Sequence, residues 1–176
     1  MTIILKLHHV LKYFSFIYNF KFLSLGKHVK LFNDKNMKPP IYTCLWFEDE
    51  AKQAAKFYCS VFKNSKIIKE TQMSVKFKLD GKLFIAFNDN YKVKFNESIS
   101  FVIECNTQKD IDYYWNKLSK GGTKQICGWL TDKYGVSWQI YPTILLNIIS
   151  DPEKLFKAYR IFGKMKKPII SKLTKL

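Results

Sequence analysis

The stretch Cys127-Gly128-Trp129-Leu130-Thr131-Asp132-Lys133-Tyr134-Gly135-Val136-Ser137-Trp138-Gln139-Ile140-Tyr141-Pro142 reads as strand, turn, strand. Cys127 to Leu130 is a short apolar run. Asp132 to Gly135 supplies turn chemistry, because Gly135 takes a positive φ without steric cost. From Val136 to Tyr141 the chain alternates Val136, Trp138 and Ile140 with Ser137, Gln139 and Tyr141, the period-2 signature of a strand with two unlike faces. Pro142 has no N–H for the ladder and marks the strand end.

Working back from this hairpin, the same order of elements appears twice. Ile41 to Phe47 is a strand, with Tyr42, Cys44 and Trp46 on one face and Ile41, Thr43, Leu45 and Phe47 on the other. Glu48, Asp49 and Glu50 place negative charge at a helix start. Ala51, Ala54, Ala55, Tyr58, Cys59 and Phe62 then follow helical spacing. Ser65 to Glu70, Ser74 to Leu79 and Lys82 to Asn88 read as three strands, the last two joined by the hairpin dipeptide Asp80-Gly81. Next, Ser98 to Cys105 is a strand. Thr107 caps a helix carrying Ile111, Tyr114, Trp115 and Leu118, with Asp110 three residues after the cap. Gly121-Gly122 stops that helix. Lys124 to Gly128, Trp129 to Thr131 and Val136 to Tyr141 complete three more strands. Residues 41–88 and 98–141 are therefore two βαβββ modules, and the expected class is α+β. After Pro142 come a short apolar segment, a Pro152 helix capped by Asp151 that runs to about Lys167, and a tail over 169–176.

The 176 residues carry a net charge of +16, of which +5 falls in residues 1–36 and +6 in residues 151–176. Arg160 is the only arginine among 30 basic residues. Sequence-specific nucleic-acid readers lean on bidentate arginine, so the lysine excess reads as a solvated surface first and weak polyanion affinity second. Cys44, Cys59, Cys105 and Cys127 form no C-x-x-C pair and have no nearby histidine, which fits free thiols in a reduced, cytoplasmic chain. No run reaches the length of a transmembrane span. Residues 1–36 differ sharply in composition from the rest of the chain. They read as an extension outside the fold, with a targeting or membrane-surface segment as the second reading, and the domain proper as 37–168.

The repeat and its wording resemble the vicinal oxygen chelate (glyoxalase, bleomycin-resistance and dioxygenase) superfamily, and more closely its PhnB-like group, which carries the label 3-demethylubiquinone methyltransferase. The resemblance rests on Cys44-Leu45-Trp46-Phe47, Ala54-Ala55-Lys56-Phe57-Tyr58, Phe95-Asn96-Glu97-Ser98-Ile99-Ser100-Phe101, Thr107-Gln108 with Asp112-Tyr113-Tyr114-Trp115, the Cys127–Leu130 and Asp132–Gln139 words, and Lys164-Met165-Lys166-Lys167. It implies paired modules whose curved sheets enclose a cleft, in a homodimer. In metal-using members four sheet residues hold a divalent ion. The matching positions here fall at Tyr42, near Ala86, at Ser98 or Ser100, and at Gln139. Only Gln139 is a ligand type, and all three histidines lie before Met37, so no metal and no cofactor is expected. The methyltransferase label also lacks a glycine-rich turn: no two glycines here stand in a G-x-G.

Alternation alone points to a cleft wall of Tyr42, Cys44, Trp46, Ser98, Ser100, Gln139 and Tyr141, to which Ser137 adds a hydroxyl. Such a wall suits a small, flat, partly polar ligand. Trp129 and Trp138 read as core, Cys127 as a structural thiol, and Glu97 as a solvated loop acid. The lysines from Lys154 to Lys167 read as a solvated helix face. The first functional reading is a metal-free binding module for a small hydrophobic or aromatic ligand. The second is an isomerase, lyase or transferase of the same fold. The third is a homodimeric interaction protein whose cleft is filled.

Overall fold

A computed structural model describes residues 41–89, 93–148 and 150–174. The expected extension over 1–36 and the last two residues of the expected tail lie outside the described residues. The first module is β1 (Thr43–Phe47), α1 (Ala51–Val61), β2 (Lys66–Glu70), β3 (Ser74–Leu79) and β4 (Lys82–Asn88). The second is β5 (Phe101–Cys105), α2 (Gln108–Leu118), β6 (Thr123–Lys124), β7 (Trp129–Thr131) and β8 (Ser137–Pro142). Each forms an open four-stranded sheet, ordered β1-β4-β3-β2 and β5-β8-β7-β6. In both, the first strand lies parallel to the last and the remaining ladders are antiparallel. The α+β class and the duplicated βαβββ order hold.

Helix α1 lays Ala51, Ala54, Ala55, Tyr58 and Val61 on its sheet. Three alanines at helical spacing bring the helix backbone close to the strands. Its N-terminus is capped across the sheet: Ala51 N–H donates to Asn88 Oδ1 at 2.8 Å, and Asn88 Nδ2 donates to the Asp49 carbonyl at 3.2 Å. Glu50 holds the cap position without a side-chain bond. In α2 the cap is local. Thr107 Oγ1 accepts from the Asp110 N–H and donates to the Asp110 carboxylate. Asp80 and Gly81 both take positive φ, as a two-residue hairpin between β3 and β4 requires.

The two modules share one core. Trp138 of β8 packs on Tyr58 and Phe62 of the first module, with ring centroids 5.5 and 5.3 Å apart. Phe84 of β4 meets Phe101 of β5 at 5.5 Å. Each such burial contributes about 1.5–3 kcal/mol. The helix-side faces of both sheets enter this one cluster, so the opposite face of each sheet, its far face, points away from it.

Beyond β8 lie α3 (Ile144–Asn147), α4 (Pro152–Phe162) and α5 (Ile170–Leu173). Asp151 caps α4 as expected, accepting from the Lys154 N–H. The helix stops at Phe162, not near Lys167. Residues 164–168 instead run back over the second module as a strap. Cys127 N–H donates to the Met165 carbonyl at 2.7 Å and Gly128 N–H to the Lys166 carbonyl at 3.0 Å. Gln108 donates to the Pro168 carbonyl and accepts from the Ile170 N–H. Lys167 reaches Asp112 at 2.6 Å, and together with Gln108 it holds that carboxyl below its ordinary pKa. Lys167 is thus an anchor, which corrects its reading as part of a solvated face. A second cluster, Leu145, Ala158, Phe162 and Leu173, seals the helices together.

Both βαβββ modules lie within the described residues from β1 onward, and a chain beginning at Met37 is expected to melt within a few degrees of the full chain. A larger drop in a thermal melt would mean that residues 1–36 pack on the domain.

Candidate functional site

The alternation that separates the faces of β8 holds in the structure. Trp138 and Ile140 are buried in the shared core, while Gln139 and Tyr141 sit half-buried on the far face. Gln139 Nε2 donates to Ser100 Oγ at 2.8 Å. This is a partner for its half-buried amide, whose burial without one would cost about 1–3 kcal/mol. In register, Gln139 stands between Val102 of β5 and Trp129 of β7. Residues directly opposite share a face, so Val102, Gln139 and Trp129 form one apolar-aromatic row, and Ser100 bonds the amide at its centre. Val102 is 53% exposed there. Trp129 was expected in the core. It is instead half-buried on this row, and of the two strand tryptophans Trp129 and Trp138 it is Trp138 that is core.

Tyr141 ends the row differently. Its hydroxyl lies 2.6 Å from the Tyr159 hydroxyl and its ring meets Phe162 edge-on at 6.2 Å, both residues of α4. Burial, and then the Tyr159 hydroxyl, push its pKa up. Tyr141 is shared between the far face and the C-terminal helices. Ser98 is not on the sheet: β5 begins at Phe101, and the Ser98 N–H donates to Asn96 Oδ1 in a turn. Ile99 beside it is 73% exposed. The signal was legible, since Asn96-Glu97-Ser98 is turn-forming sequence that the strand reading overran.

On the first sheet Tyr42, Cys44 and Trp46 also lie on the far face, with Leu45 and Phe47 in the core. Ala86 does not join them. It stands opposite Leu45 and Val75 in the core, and the far-face residues of β4 are Ile85, opposite Cys44, and Phe87, opposite Trp46. The two halves of the candidate wall therefore sit on the far faces of two different sheets.

The superfamily's metal positions can be tested on these donors. They read Tyr42, Ile85 or Phe87, Ser100 and Gln139: a phenol, a hydrocarbon, a hydroxyl and a neutral amide. Lys76 places its ammonium 5.6 Å from the Tyr42 ring centre. This set does not fit a divalent cation, which wants carboxylate, imidazole or thiolate. Among the described residues no three His, Cys, Asp or Glu side chains gather anywhere.

None of the four cysteines is in a disulfide. Burial, with Asp110 nearby, pushes Cys105 up to about 12, and burial also raises Cys59. Neither meets the low-pKa condition for a nucleophilic thiolate. Cys127 sits at φ 57° and Gly128 at φ 75°, in a turn closed by Trp129 N–H on the Ile126 carbonyl. The expected strand over Lys124–Gly128 is therefore only Thr123–Lys124, and β7 starts at Trp129. No described helix is long and apolar enough to cross a membrane.

Comparison with known proteins agrees with this geometry. The family model for 3-demethylubiquinone-9 3-methyltransferase matches residues 39–141. A PhnB protein from Bacillus cereus bearing the same methyltransferase description is 30% identical; the match covers 59% of this chain and 99% of that one, with a TM-score of 0.55. Protein PA1353 from Pseudomonas aeruginosa, 15% identical over 60% of this chain and 98% of its own, shares the fold at a TM-score of 0.50. No curated protein matches the chain. The chain belongs to the 3-demethylubiquinone-9 3-methyltransferase (PhnB-like) family.

Proposed function

We propose that the protein is a cytoplasmic, homodimeric binding module that holds a small hydrophobic or aromatic ligand without a metal. The observation that carries the reading is the row Val102, Gln139, Trp129 on the far face of the second sheet, with Ser100 fixing the amide. It offers a flat apolar surface for a ring. It also offers one oriented hydrogen-bonding group, because Gln139 spends an Nε2 proton on Ser100 and keeps Oε1 to accept from a ligand O–H or N–H. Both sheets turn their far faces away from the shared core, which supports a second copy supplying the opposite wall: Tyr42, Cys44 and Trp46 of one protomer over Ser100, Gln139 and Tyr141 of its partner. The neutral donor set supports a metal-free site.

Gln139→Leu tests this. The strand pattern survives and the volume is similar, so the melting temperature should stay within a few degrees. Binding of ring compounds found in a thermal-shift screen should weaken about tenfold, the worth of one good hydrogen bond in a partly desolvated site. Chelator should change neither binding nor melting. Light scattering should report a dimer. Unchanged affinity in Gln139→Leu would remove the amide from the site, and affinity lost on chelation would end the metal-free reading.

A further inference from the structure

Two strands of the first sheet carry lysine opposite lysine. Lys66 of β2 faces Lys78 of β3, and Lys69 faces Lys76. Like charges directly opposite across an antiparallel pair are destabilising. The arrangement depends on an irregularity. The register shifts between Ile67 and Lys69, so Ile68 is an extra, bulged residue. Strict alternation from Ile67, which pairs with core Phe77, would put Ile68 and Glu70 on the far face and Lys69 toward the helix. The bulge reverses this. Lys69 joins the far face, and Glu70 turns to the helix side opposite Val75, where it pairs with Lys52 of α1. No far-face strand residue of this sheet is acidic, and no ion pair among the described residues engages Lys66, Lys76 or Lys78.

The charge adjoins the candidate wall. One cross-strand row runs Cys44, Ile85, Lys76, Lys69, and Lys76 lies over the ring of Tyr42. The face therefore passes from aromatic and apolar at β1 and β4 to cationic at β3 and β2 within one sheet width. Cβ atoms of directly opposed residues lie about 5 Å apart, so the flexible ends of Lys66, Lys76 and Lys78 can converge on one small anion.

Resting on the binding-module reading, we propose that Lys66, Lys76 and Lys78 hold the anionic group, a phosphate or carboxylate, of the ligand whose apolar part lies toward Tyr42 and Trp46. The ligand class is then a small aromatic or hydrophobic acid. The bulge at Ile68 serves this end of the face by turning the acid Glu70 away from it, to the helix side.

The test uses the full chain in low salt with phenyl phosphate, phenol, inorganic phosphate, benzoate and a 20-nucleotide single-stranded DNA, followed by calorimetry and thermal shift. Phenyl phosphate should bind about tenfold or more tighter than phenol, in line with a charge-assisted hydrogen bond. Lys66→Gln with Lys78→Gln, and separately Lys76→Gln, should remove that advantage, so that phenyl phosphate binds no tighter than phenol. The benzoate arm separates carboxylate from phosphate. Without any anion the double variant should melt a few degrees above the parent, because its like-charge pair is gone; Lys157→Gln, on α4, should do neither. If phosphate binds and phenol does not, the anion site stands and the ring-binding reading falls. Equal affinity for phenol and phenyl phosphate, or unchanged phosphate affinity in the lysine variants, overturns the site. Tighter DNA than phenyl phosphate binding with the same loss on substitution also overturns it, assigning the lysines to a polyanion.

Discussion

Asp132→Ala is expected to destabilise the fold by about 4–6 kcal/mol, much of what a domain of this size has. Asp132 is 3% exposed and accepts four hydrogen bonds. Oδ1 takes the backbone N–H groups of Tyr134 at 2.8 Å and Val136 at 3.1 Å. Oδ2 takes Tyr58 Oη and Trp138 Nε1, each at 2.8 Å. That fills the carboxylate's accepting positions. Tyr58 belongs to α1, so one side chain shapes the β7–β8 turn and ties the two modules together. Alanine strands the Tyr58 and Trp138 donors in the core and the turn amides behind it, at about 1–3 kcal/mol for each buried group left unmet. Asparagine keeps Oδ1 for the amides but sets an NH2 against Trp138 Nε1–H, so it should cost about 2 kcal/mol. Tyr58→Phe removes one donor and should cost about 1–2 kcal/mol. Urea titrations should rank Ala, then Asn, then Phe. An alanine variant that melts within a few degrees of the parent would deny Asp132 this role.

The same group sets a pH dependence. Burial raises the Asp132 pKa above its ordinary 3.8, working against the four donors that pull it down. A raised folded pKa means that the native state holds the proton more tightly than the unfolded chain. The stabilisation from protonation is therefore full below about 3.8 and is lost as pH rises through the folded pKa. The difference in unfolding free energy between parent and Asp132→Asn, followed upward from pH 3.8, should shrink across that window. A difference that grows there would mean the donors outweigh burial.

Asp132 also shows where sequence reading stops. Its place in a turn was plain from Asp132-Lys133-Tyr134-Gly135, but its partner Tyr58 lies 74 residues away and no local pattern pairs them. Where a strand has one apolar face, alternation separates the faces correctly: Leu45 and Phe47 against Tyr42, Cys44 and Trp46, and Trp138 and Ile140 against Gln139 and Tyr141. On β4 it has nothing to choose by, because Phe84 and Ala86 alternate with Leu83, Ile85 and Phe87 and both sides are apolar; the position near Ala86 came from the family resemblance alone. The register with Leu45 decides it. Asn88 as a cap for α1 and the bulge at Ile68 were invisible for a similar reason, since both exist only across strands. Lys164 to Lys167 looked like the end of a helix because nothing local says that the carbonyls of Met165 and Lys166 will meet the amides of Cys127 and Gly128.

Gly128→Ala is expected to be the other severe change, at about 4 kcal/mol or more, above the range of ordinary substitutions. Gly128 sits at φ 75°, and a Cβ built there would lie 2.3 Å from the Ile140 carbonyl oxygen and 3.2 Å from Pro168 Cγ. The left-handed conformation alone costs an L-residue about 1–2 kcal/mol. The clash is with backbone, so no side-chain rotation relieves it. Relief requires the turn to move away from β8, which breaks the bond from Ile140 N–H to the Gly128 carbonyl at 2.8 Å. It also breaks the bond from Gly128 N–H to Lys166 that seats the strap. Two effects should therefore appear together: a lower midpoint in urea and faster amide exchange at Gly128 and along α5. Cys127 is the internal comparison. It too has positive φ, at 57°, so Cys127→Gly should relieve strain and be neutral or slightly stabilising. If Gly128→Ala and Cys127→Gly both left stability and exchange unchanged, the left-handed pair at this turn would not be what holds the strap to the second sheet.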